Sequence, residues 1–159
     1  PFSFFNGLSG NPPYLMISVG QREGRAKDTL ANITATREFV INIVSEHVAA
    51  HMNITSGNYA PHEDEFAHSG LTPAPSVKVT APRVAEASVN MECVLAQIVP
   101  LPRSEYSVVI GEVVYFHIAD GVLDERGRVD PMKLAPIARL GGSSWYTTLG
   151  RVFEMKRPP

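Results

Sequence analysis

Two long apolar runs separated by a short turn constrain the fold of this chain more than any other feature. They cover residues 84–101 and 106–119, and the connection Pro-Leu-Pro-Arg-Ser-Glu at 100–105 joins them. Apolar side chains alternate along each run, which is the pattern of a strand whose two faces differ. One face of the first run carries Val89, Met91, Cys93 and Leu95. Two adjacent antiparallel strands of this length are what a small barrel needs, so we predict a mainly β protein with short helices.

Composition narrows the class of protein. The chain has 159 residues, of which 44% are hydrophobic and 19% charged, so we predict one globular domain over residues 1–159. The formal net charge of −2 gives no broad attraction to nucleic acid. No apolar run is long enough to cross a bilayer, and no partner membrane is expected. Cys93 is the single cysteine, which fits a reducing compartment, and we expect a cytoplasmic protein.

Residues 24–44 contain the clearest candidate binding element. Asp28 is predicted to cap a short helix whose Leu30 and Ile33 face a core, and a buried strand covered on both faces is predicted from Glu38 to Val44. The free amides of a helix start, the Thr29 hydroxyl and nearby cations suit a phosphate group. The cations are Arg25 and Lys27. On these residues alone, a capped helix beside a solvated basic loop that binds nothing is the favoured interpretation.

Other elements follow from the same reasoning. Strands are predicted over residues 2–6 and 13–19 with a glycine-rich connection, and a helix from Glu46 to Ile54 with Val48 and Met52 facing inward. Residues 56–76 read as a loop, residues 134–140 as a short helical turn, and the tail from Lys156 as frayed.

Three side chains, those of His47, His51 and Cys93, are candidates for a chemical role, but the sequence favours a structural or solvated role for each. His47 and His51 have the i, i+4 spacing of a metal-binding pair, but Val48 occupies the place of a catalytic glutamate and no third ligand is evident. We therefore favour a solvated or capping pair. Cys93 is predicted to fill the core instead of acting as a nucleophile, because no histidine neighbours it in sequence.

Five segments in order resemble the flavin reductase-like family of FMN-binding split-barrel proteins. They are Ser-Phe-Phe-Asn at 3–6 with Ser-Gly-Asn-Pro-Pro at 9–13, Lys-Asp-Thr-Leu-Ala-Asn-Ile at 27–33 with Glu-Phe-Val-Ile-Asn-Ile at 38–43, Asp-Glu-Phe-Ala-His-Ser-Gly-Leu-Thr-Pro at 64–73, Gly-Glu-Val-Val-Tyr-Phe-His-Ile at 111–118, and Arg-Leu-Gly-Gly at 139–142 with Tyr146. The resemblance implies a split β-barrel, an antiparallel barrel of Greek-key type. It also implies that a further strand precedes Pro1 in the natural chain.

The resemblance implies a set of cofactor-binding residues. Lys27, Asp28 and Thr29 would lie at the FMN phosphate, with Asp28 orienting the loop because a carboxylate aimed at phosphate would repel it. Near the ribityl chain and ring would lie Ser3, Phe4, Asn6, Ser9 and Ser18. Arg139, Trp145 and Tyr146 suit a cationic and aromatic rim for a flavin edge or a second nucleotide, or a dimer contact. His117 is either a structural histidine or a contact on the nicotinamide side.

The resemblance implies an NAD(P)H-dependent flavin reductase, in which NADH or NADPH gives hydride to non-covalently bound FMN. No catalytic side chain and no metal are predicted, since the flavin carries the chemistry. A homodimer is implied, with an oxygenase or another electron acceptor as partner protein. The alternatives are a flavoredoxin-like electron-transfer protein without NAD(P)H turnover and, further away, a barrel that has lost flavin and binds another ligand such as haem.

Overall fold

A six-stranded antiparallel sheet organises the structure, a computed structural model that describes residues 1–22, 24–142 and 144–158. In these residues the strands are β1 (Phe5–Gly10), β2 (Pro13–Arg22), β3 (Arg25–Ala26), β4 (Glu38–Asn42), β5 (Pro73–Ala74), β6 (Arg83–Val84), β7 (Val89–Pro100), β8 (Tyr106–Ile118), β9 (Ile137–Arg139) and β10 (Tyr146–Thr148). The helices are α1 (Asp28–Thr36), α2 (Ala49–Ile54), α3 (Glu65–Ser69) and α4 (Pro131–Leu134). The main sheet has the order β1-β2-β8-β7-β4, with β3 added to β2. The prediction of a mainly β protein with short helices is confirmed.

The two long strands pair as predicted. β7 and β8 run antiparallel from the Val89–Ile118 pair to the Pro100–Ser107 pair, with register shifts after Glu92 and after Leu95. β7 starts later than residue 84, because the chain turns between β6 and β7, where the Ala87 amide donates to the Val84 carbonyl at 3.3 Å.

The start of the chain differs from the prediction. A strand is predicted over residues 2–6 and a loop over 7–10, but β1 begins at Phe5 and continues through Gly10, where it forms a hairpin with β2 around Asn11 and Pro12. Gly7 and Gly10 have low strand propensity, yet their backbones pair with Leu15 and Pro13. Pairing along the hairpin therefore outweighs local propensity here.

An apolar core lies between α1 and the inner face of the sheet. Its buried members are Leu15, Ile17, Val19, Ile33, Phe39, Cys93, Leu95, Val109 and Val113. Ile33 is 2% exposed, which fixes the face that α1 turns to the core. Burial raises the pKa of the Cys93 thiol to about 12, which matches its predicted place in the core.

β4 is covered on both faces, as predicted. Phe39 packs into the core, while the other face carries Glu38 and Asn42. The side-chain oxygen of Asn42 accepts from the Val84 amide at 2.9 Å and from the Asn90 side-chain amide at 2.8 Å.

A buried carboxylate holds the segment 77–80 against this outer face. Glu92 has no exposed surface, and its two oxygens accept from the amides of Val77 at 2.7 Å, Lys78 at 2.6 Å and Val79 at 3.2 Å. Glu38 accepts from the amide and hydroxyl of Thr80. Four consecutive amides are thus satisfied by two carboxylates instead of by a neighbouring strand.

The helical segments confirm one prediction and correct another. The predicted helix over 46–54 is confirmed as a 3₁₀ turn, Glu46–Val48, followed by α2, with Val48 and Met52 buried. The segment 56–76, expected as a loop, contains α3, which the Asp64 side chain caps through the Phe66 amide.

The predicted helical turn over residues 134–140 is wrong. α4 lies earlier, because Pro131 starts it and the Asp130 carboxylate caps it through the Met132 amide at 2.8 Å. After α4 the chain forms the β9–β10 hairpin, in which Tyr146 pairs with Arg139. Residues 149–158 carry no regular structure, and Pro159, the end of the predicted frayed tail, lies outside the described residues.

None of the helices in the described ranges combines the length and hydropathy required to cross a bilayer.

Replacing Gly111 with alanine is expected to destabilise the fold. An added Cβ would lie 2.5 Å from Cζ and 2.8 Å from Cε1 of the Phe39 ring, inside the packed core. Overpacking of this kind costs about 1–3 kcal/mol in the free energy of unfolding, measurable by urea denaturation. Gly10→Ala is the matched strand control, since nothing lies within 4 Å of its added Cβ. Equal stability of the two variants would contradict the packing described.

Glu92→Gln is expected to lower the free energy of unfolding at pH 7 by about 2–4 kcal/mol, since an amide cannot satisfy the donors that converge there. Burial opposes ionisation of Glu92, but hydrogen bonds from His117, Val77 and Lys78 outweigh it and hold its pKa below the ordinary 4.5. A lowered pKa stabilises the folded state above pH 4.5, and this contribution is lost as the pH falls through the folded pKa.

The difference between the parent and Glu92→Gln should therefore shrink on acidification below pH 4.5. Glu125→Gln, at an exposed position, is the control and should change little at either pH. A Glu92→Gln loss that stays constant from pH 7 into this acid range would show that the carboxylate charge is not what holds the segment.

Candidate functional site

The N-terminus of α1 lacks the predicted side-chain cap. Lys27 occupies the cap position with extended backbone angles (φ −60°, ψ 148°), and among the described residues no side chain caps the helix. Asp28 is the first helical residue, so the prediction that it caps the helix is wrong: a cap residue must lie outside the helix with extended geometry. Asp28 still places a carboxylate in the first turn.

Two amides at this helix start are available to an external acceptor. The Lys27 carbonyl accepts from the amides of Leu30 at 2.9 Å and Ala31 at 3.2 Å. Within the described part of the chain, the amides of Asp28 and Thr29 have no hydrogen-bond partner. Thr29 is half-buried, and Lys27 is exposed. These backbone donors and Lys27 therefore lie close together at the N-terminus of α1, where the helix dipole also favours an anion.

The fold brings the opening segment of the chain to this helix start. The Lys27 ammonium lies 5.6 Å from the centroid of the Phe2 ring. Pairing of β3 with β2 positions the basic loop, because Arg25 pairs with Arg22 immediately before α1. Phe2, Lys27 and the first amides of α1, those of Asp28 and Thr29, thus lie close together. We call this group the α1 niche.

Three of the residues assigned by resemblance to the ring region lie near the end of β1 that is next to this niche. Ser3, Phe4 and Asn6 are exposed, and the Phe4 carbonyl accepts from the Ser18 amide at 2.9 Å. The Phe4 ring packs edge-on against Tyr106 with centroids 6.0 Å apart. Ser18 is half-buried on β2.

Ser9 lies apart from this group. It is five residues beyond Phe4, which corresponds to about 16 Å along a strand. Its hydroxyl donates to the Pro12 carbonyl at 2.6 Å and so stabilises the hairpin turn. Only the lone pairs of its oxygen remain for a ligand.

Arg139 and Tyr146 form a second cluster on the β9–β10 hairpin. The Arg139 guanidinium lies 4.9 Å from the centroid of the Tyr146 ring, and its Nη1 donates to the Tyr146 hydroxyl at 2.8 Å. Trp145, next to Tyr146, is 70% exposed. The hairpin faces α2 across a groove lined by Tyr146, Thr147 and Thr148. Ser143, which lies between Arg139 and Tyr146 in the sequence, is outside the described residues.

His117 contacts a group that the sequence reasoning did not select. Its Nε2 donates to Glu92 at 2.5 Å, and its ring lies 4.8 Å from that of Tyr115. The side chain of His117 is 20% exposed. In the sequence, Glu92 could have been recognised as a candidate because it is an acidic residue inside an apolar strand, between Met91 and Cys93. Since Nε2 is engaged, a substrate contact would fall to Nδ1.

His47 and His51 contact backbone carbonyls of neighbouring segments of the chain. A ring nitrogen of His47 lies 3.1 Å from the Glu86 carbonyl, and Nδ1 of His51 lies 2.7 Å from the Ser69 carbonyl. No group of three potential metal ligands occurs among the described residues.

Comparison with known proteins identifies the family. A family model described as "Flavin reductase like domain" matches residues 1–134. Nitrilotriacetate monooxygenase component B from Bacillus cereus is 38% identical to this chain, with a TM-score of 0.92 over 98% of this chain and 78% of its own.

Two further structures are similar. A protein from Shewanella frigidimarina, described as a flavin reductase with split barrel domain, is 25% identical, with a TM-score of 0.86 over 99% of this chain and 77% of its own. Flavoredoxin of Desulfovibrio vulgaris is 26% identical, with a TM-score of 0.83 over 97% of this chain and 79% of its own.

These similarities confirm the split-barrel fold. The family model covers four of the five sequence segments, while the fifth, residues 139–142 with Tyr146, lies beyond the matched residues. The chain belongs to the flavin reductase-like family of FMN-binding split-barrel proteins.

Proposed function

We propose that this protein is a flavin reductase that binds FMN non-covalently and oxidises NADH or NADPH. The observation that carries the proposal is the start of α1 in a chain of the flavin reductase-like family: Lys27 lies there beside two amides that have no partner within the described residues. Bound FMN supplies the chemistry of hydride transfer, so the chain needs residues that bind and orient, without a nucleophile of its own.

The FMN phosphate is assigned to the α1 niche. The amides of Asp28 and Thr29 and the Thr29 hydroxyl donate to phosphate oxygens, and Lys27 supplies the positive charge. The Asp28 carboxylate would repel a dianion, so its side chain must point away from the phosphate when FMN is bound. Its contribution is to favour the helix start through the helix dipole.

The flavin ring is assigned to the adjoining end of β1. Ser3 and Asn6 offer hydrogen-bonding side chains that have no partner within the described residues, and Phe4 offers an exposed ring, 60% accessible. Ser18 lies behind Phe4, joined to it through the backbone, and orients this strand. Ser9 lies at the opposite end of β1, where its hydroxyl oxygen can accept a hydrogen bond. His117 lies nine residues along β8 from Val108, the partner of Ser18, so within one chain it is too far from this ring position to contact the nicotinamide there.

An electron-transfer protein without NAD(P)H turnover is the second candidate, favoured by the similarity to flavoredoxin. The similarity to a monooxygenase component supports an oxygenase as the consumer of reduced flavin.

A homodimer forms part of the proposal. Large apolar side chains near the end of the chain remain open to solvent, among them Trp145 at 70%, Phe153 at 67% and Met155 at 81% exposure. Exposed apolar side chains clustered in one segment are typical of an association surface.

A dimer in light scattering of the purified protein is the expected result.

Replacing both Lys27 and Thr29 with alanine is expected to weaken FMN binding at least tenfold while leaving the unfolding transition unchanged. The double variant removes the cation and one hydroxyl from the phosphate. Binding is measured by the quenching of flavin fluorescence. The control combines Thr34→Ala, on the same helix, with Lys156→Ala in the tail, and both side chains are exposed. FMN affinity equal to that of the parent would refute the phosphate assignment.

Steady-state oxidation of NADH and NADPH with added FMN separates the two candidate functions. The reductase is expected to turn over at least one of the two donors. Bound flavin without turnover of either donor would support the electron carrier and would contradict the proposed activity.

A further inference from the structure

The outer face of the sheet carries an aromatic pair next to the residues assigned to the flavin ring. Val19 of β2 is buried in the core, so its neighbours Ser18 and Gly20 lie on the opposite, outer face. Phe4 adjoins Ser18, whose amide donates to the Phe4 carbonyl at 2.9 Å. Tyr106 pairs with Gly20 between β8 and β2. The strand register therefore brings Phe4 and Tyr106 together on the outer face.

The Tyr106 ring lies over Gly20. A Cβ added at Gly20 would be 3.0 Å from both Cε1 and Cζ of Tyr106, closer than packed carbon atoms normally approach. Gly20 has no positive φ, so glycine is required here because of the space that the ring occupies. The glycine is buried, whereas Tyr106 is 42% exposed. One side of the ring thus packs on the sheet, while the rest of the side chain remains accessible.

Tyr106 in turn holds the Phe4 ring. The two ring centroids are 6.0 Å apart and the ring planes meet at 70°, the edge-to-face arrangement that aromatic side chains prefer. Phe4 is 60% exposed and directly precedes β1, the edge strand of the sheet. Without this contact, such an exposed side chain would sample several rotamers. A ring that is already oriented loses less entropy when a ligand binds against it.

The contact depends on the ring of Tyr106 and not on its hydroxyl. In the part of the chain that the structure describes, the hydrogen bonds of Tyr106 come from its backbone: the amide donates to the Ser104 hydroxyl oxygen at 3.2 Å, and the carbonyl accepts from the Leu101 amide at 3.0 Å. These bonds fix the start of β8 and do not involve the phenol. A phenylalanine at position 106 would therefore keep both the packing on Gly20 and the contact with Phe4.

We infer that Tyr106 is a positioning residue of the flavin site: packed on Gly20, it holds the Phe4 ring in the orientation in which Phe4 contacts the ring system of FMN. The inference rests on the proposed function for the identity of the ligand. It adds a residue that lies outside the five segments on which the family resemblance was based. Because the phosphate is assigned to α1, a change at Tyr106 acts on the binding of the flavin ring.

Titration of FMN into the FMN-free protein, followed by flavin fluorescence, tests the inference. Tyr106→Ala is expected to weaken FMN binding about three- to tenfold, which corresponds to the loss of one aromatic pair. It should also shift the visible absorption bands of bound FMN, since these bands report the surroundings of the flavin ring. Tyr106→Phe should bind FMN as the parent does. Tyr115→Ala is the matched control, because Tyr115 lies on the same strand and is 38% exposed.

A double-mutant cycle shows whether Tyr106 acts through Phe4. In a Phe4→Ala background, Tyr106→Ala should cause no further loss of FMN affinity. A further loss as large as that in the parent would overturn the inference, because Tyr106 would then act independently of Phe4. Gly20→Ala displaces the Tyr106 ring without removing it and should weaken FMN binding as Tyr106→Ala does. Parental affinity in Gly20→Ala would contradict the proposed role of this packing.

Equal FMN affinity of Tyr106→Ala and the parent would overturn the inference and leave the proposed function in place. A Tyr106→Phe variant as weak as Tyr106→Ala would also overturn it, because the hydroxyl would then carry the effect. Absence of FMN binding in the parent would refute the proposed function, and the inference with it. Urea denaturation of each variant separates loss of folding from loss of affinity. If Tyr106→Ala does not fold, Tyr106→Leu, which keeps an apolar contact with the sheet, carries the same expectation.

Discussion

The packing of Ile33 against the sheet is the interaction on which the candidate site depends. This side chain belongs to a core built from β2, β4, β7 and β8, and its burial sets the rotation of α1. At the C-terminal end of α1, the Arg37 amide donates to the Ile33 carbonyl at 2.9 Å, and the Arg37 carbonyl accepts from Leu95 at 2.8 Å. The helix is therefore held at one end by a neighbouring strand and along its length by the core, while its N-terminus stays open.

The two sides of the β4–β7 region have opposite chemistry, which explains how a small sheet accommodates buried charge. The inner side is apolar and includes Phe39 and Cys93. On the outer side, the Glu92 carboxylate is surrounded by donors from the segment 77–80 and His117. Four hydrogen bonds to a fully buried carboxylate offset the cost of removing it from water. His117 is thereby held in one orientation, which is a requirement for any role toward a substrate.

Strong periodicity made much of the fold predictable. The β7–β8 pair, the strand starting at Glu38, and the burial of Val48 and Met52 all followed from apolar spacing. The β1 hairpin was missed because glycines hid a strand whose stability comes from its partner. The β9–β10 hairpin was missed because three residues per strand are too few for a periodic signal. α3 depends on a single cap at Asp64, which is a weak signal in a polar segment.

The candidate site was predictable in its parts and less so in its arrangement. The segment 27–29 was identified, but the cap was placed one residue late, since sequence alone does not show which residue takes the extended conformation. Glu92 was overlooked because its partners are backbone amides 13–15 positions away. The groove between α2 and the hairpin joins segments about 90 residues apart and had no sequence signal of its own.

A crystal structure of the protein grown with FMN tests the central claim most directly. The account predicts phosphate oxygens within hydrogen-bonding distance of the Thr29 amide and hydroxyl, the Lys27 ammonium beside them, and the ring on the start of β1. A phosphate bound elsewhere, with the amides at the start of α1 facing only solvent or the chain's own side chains, would contradict it.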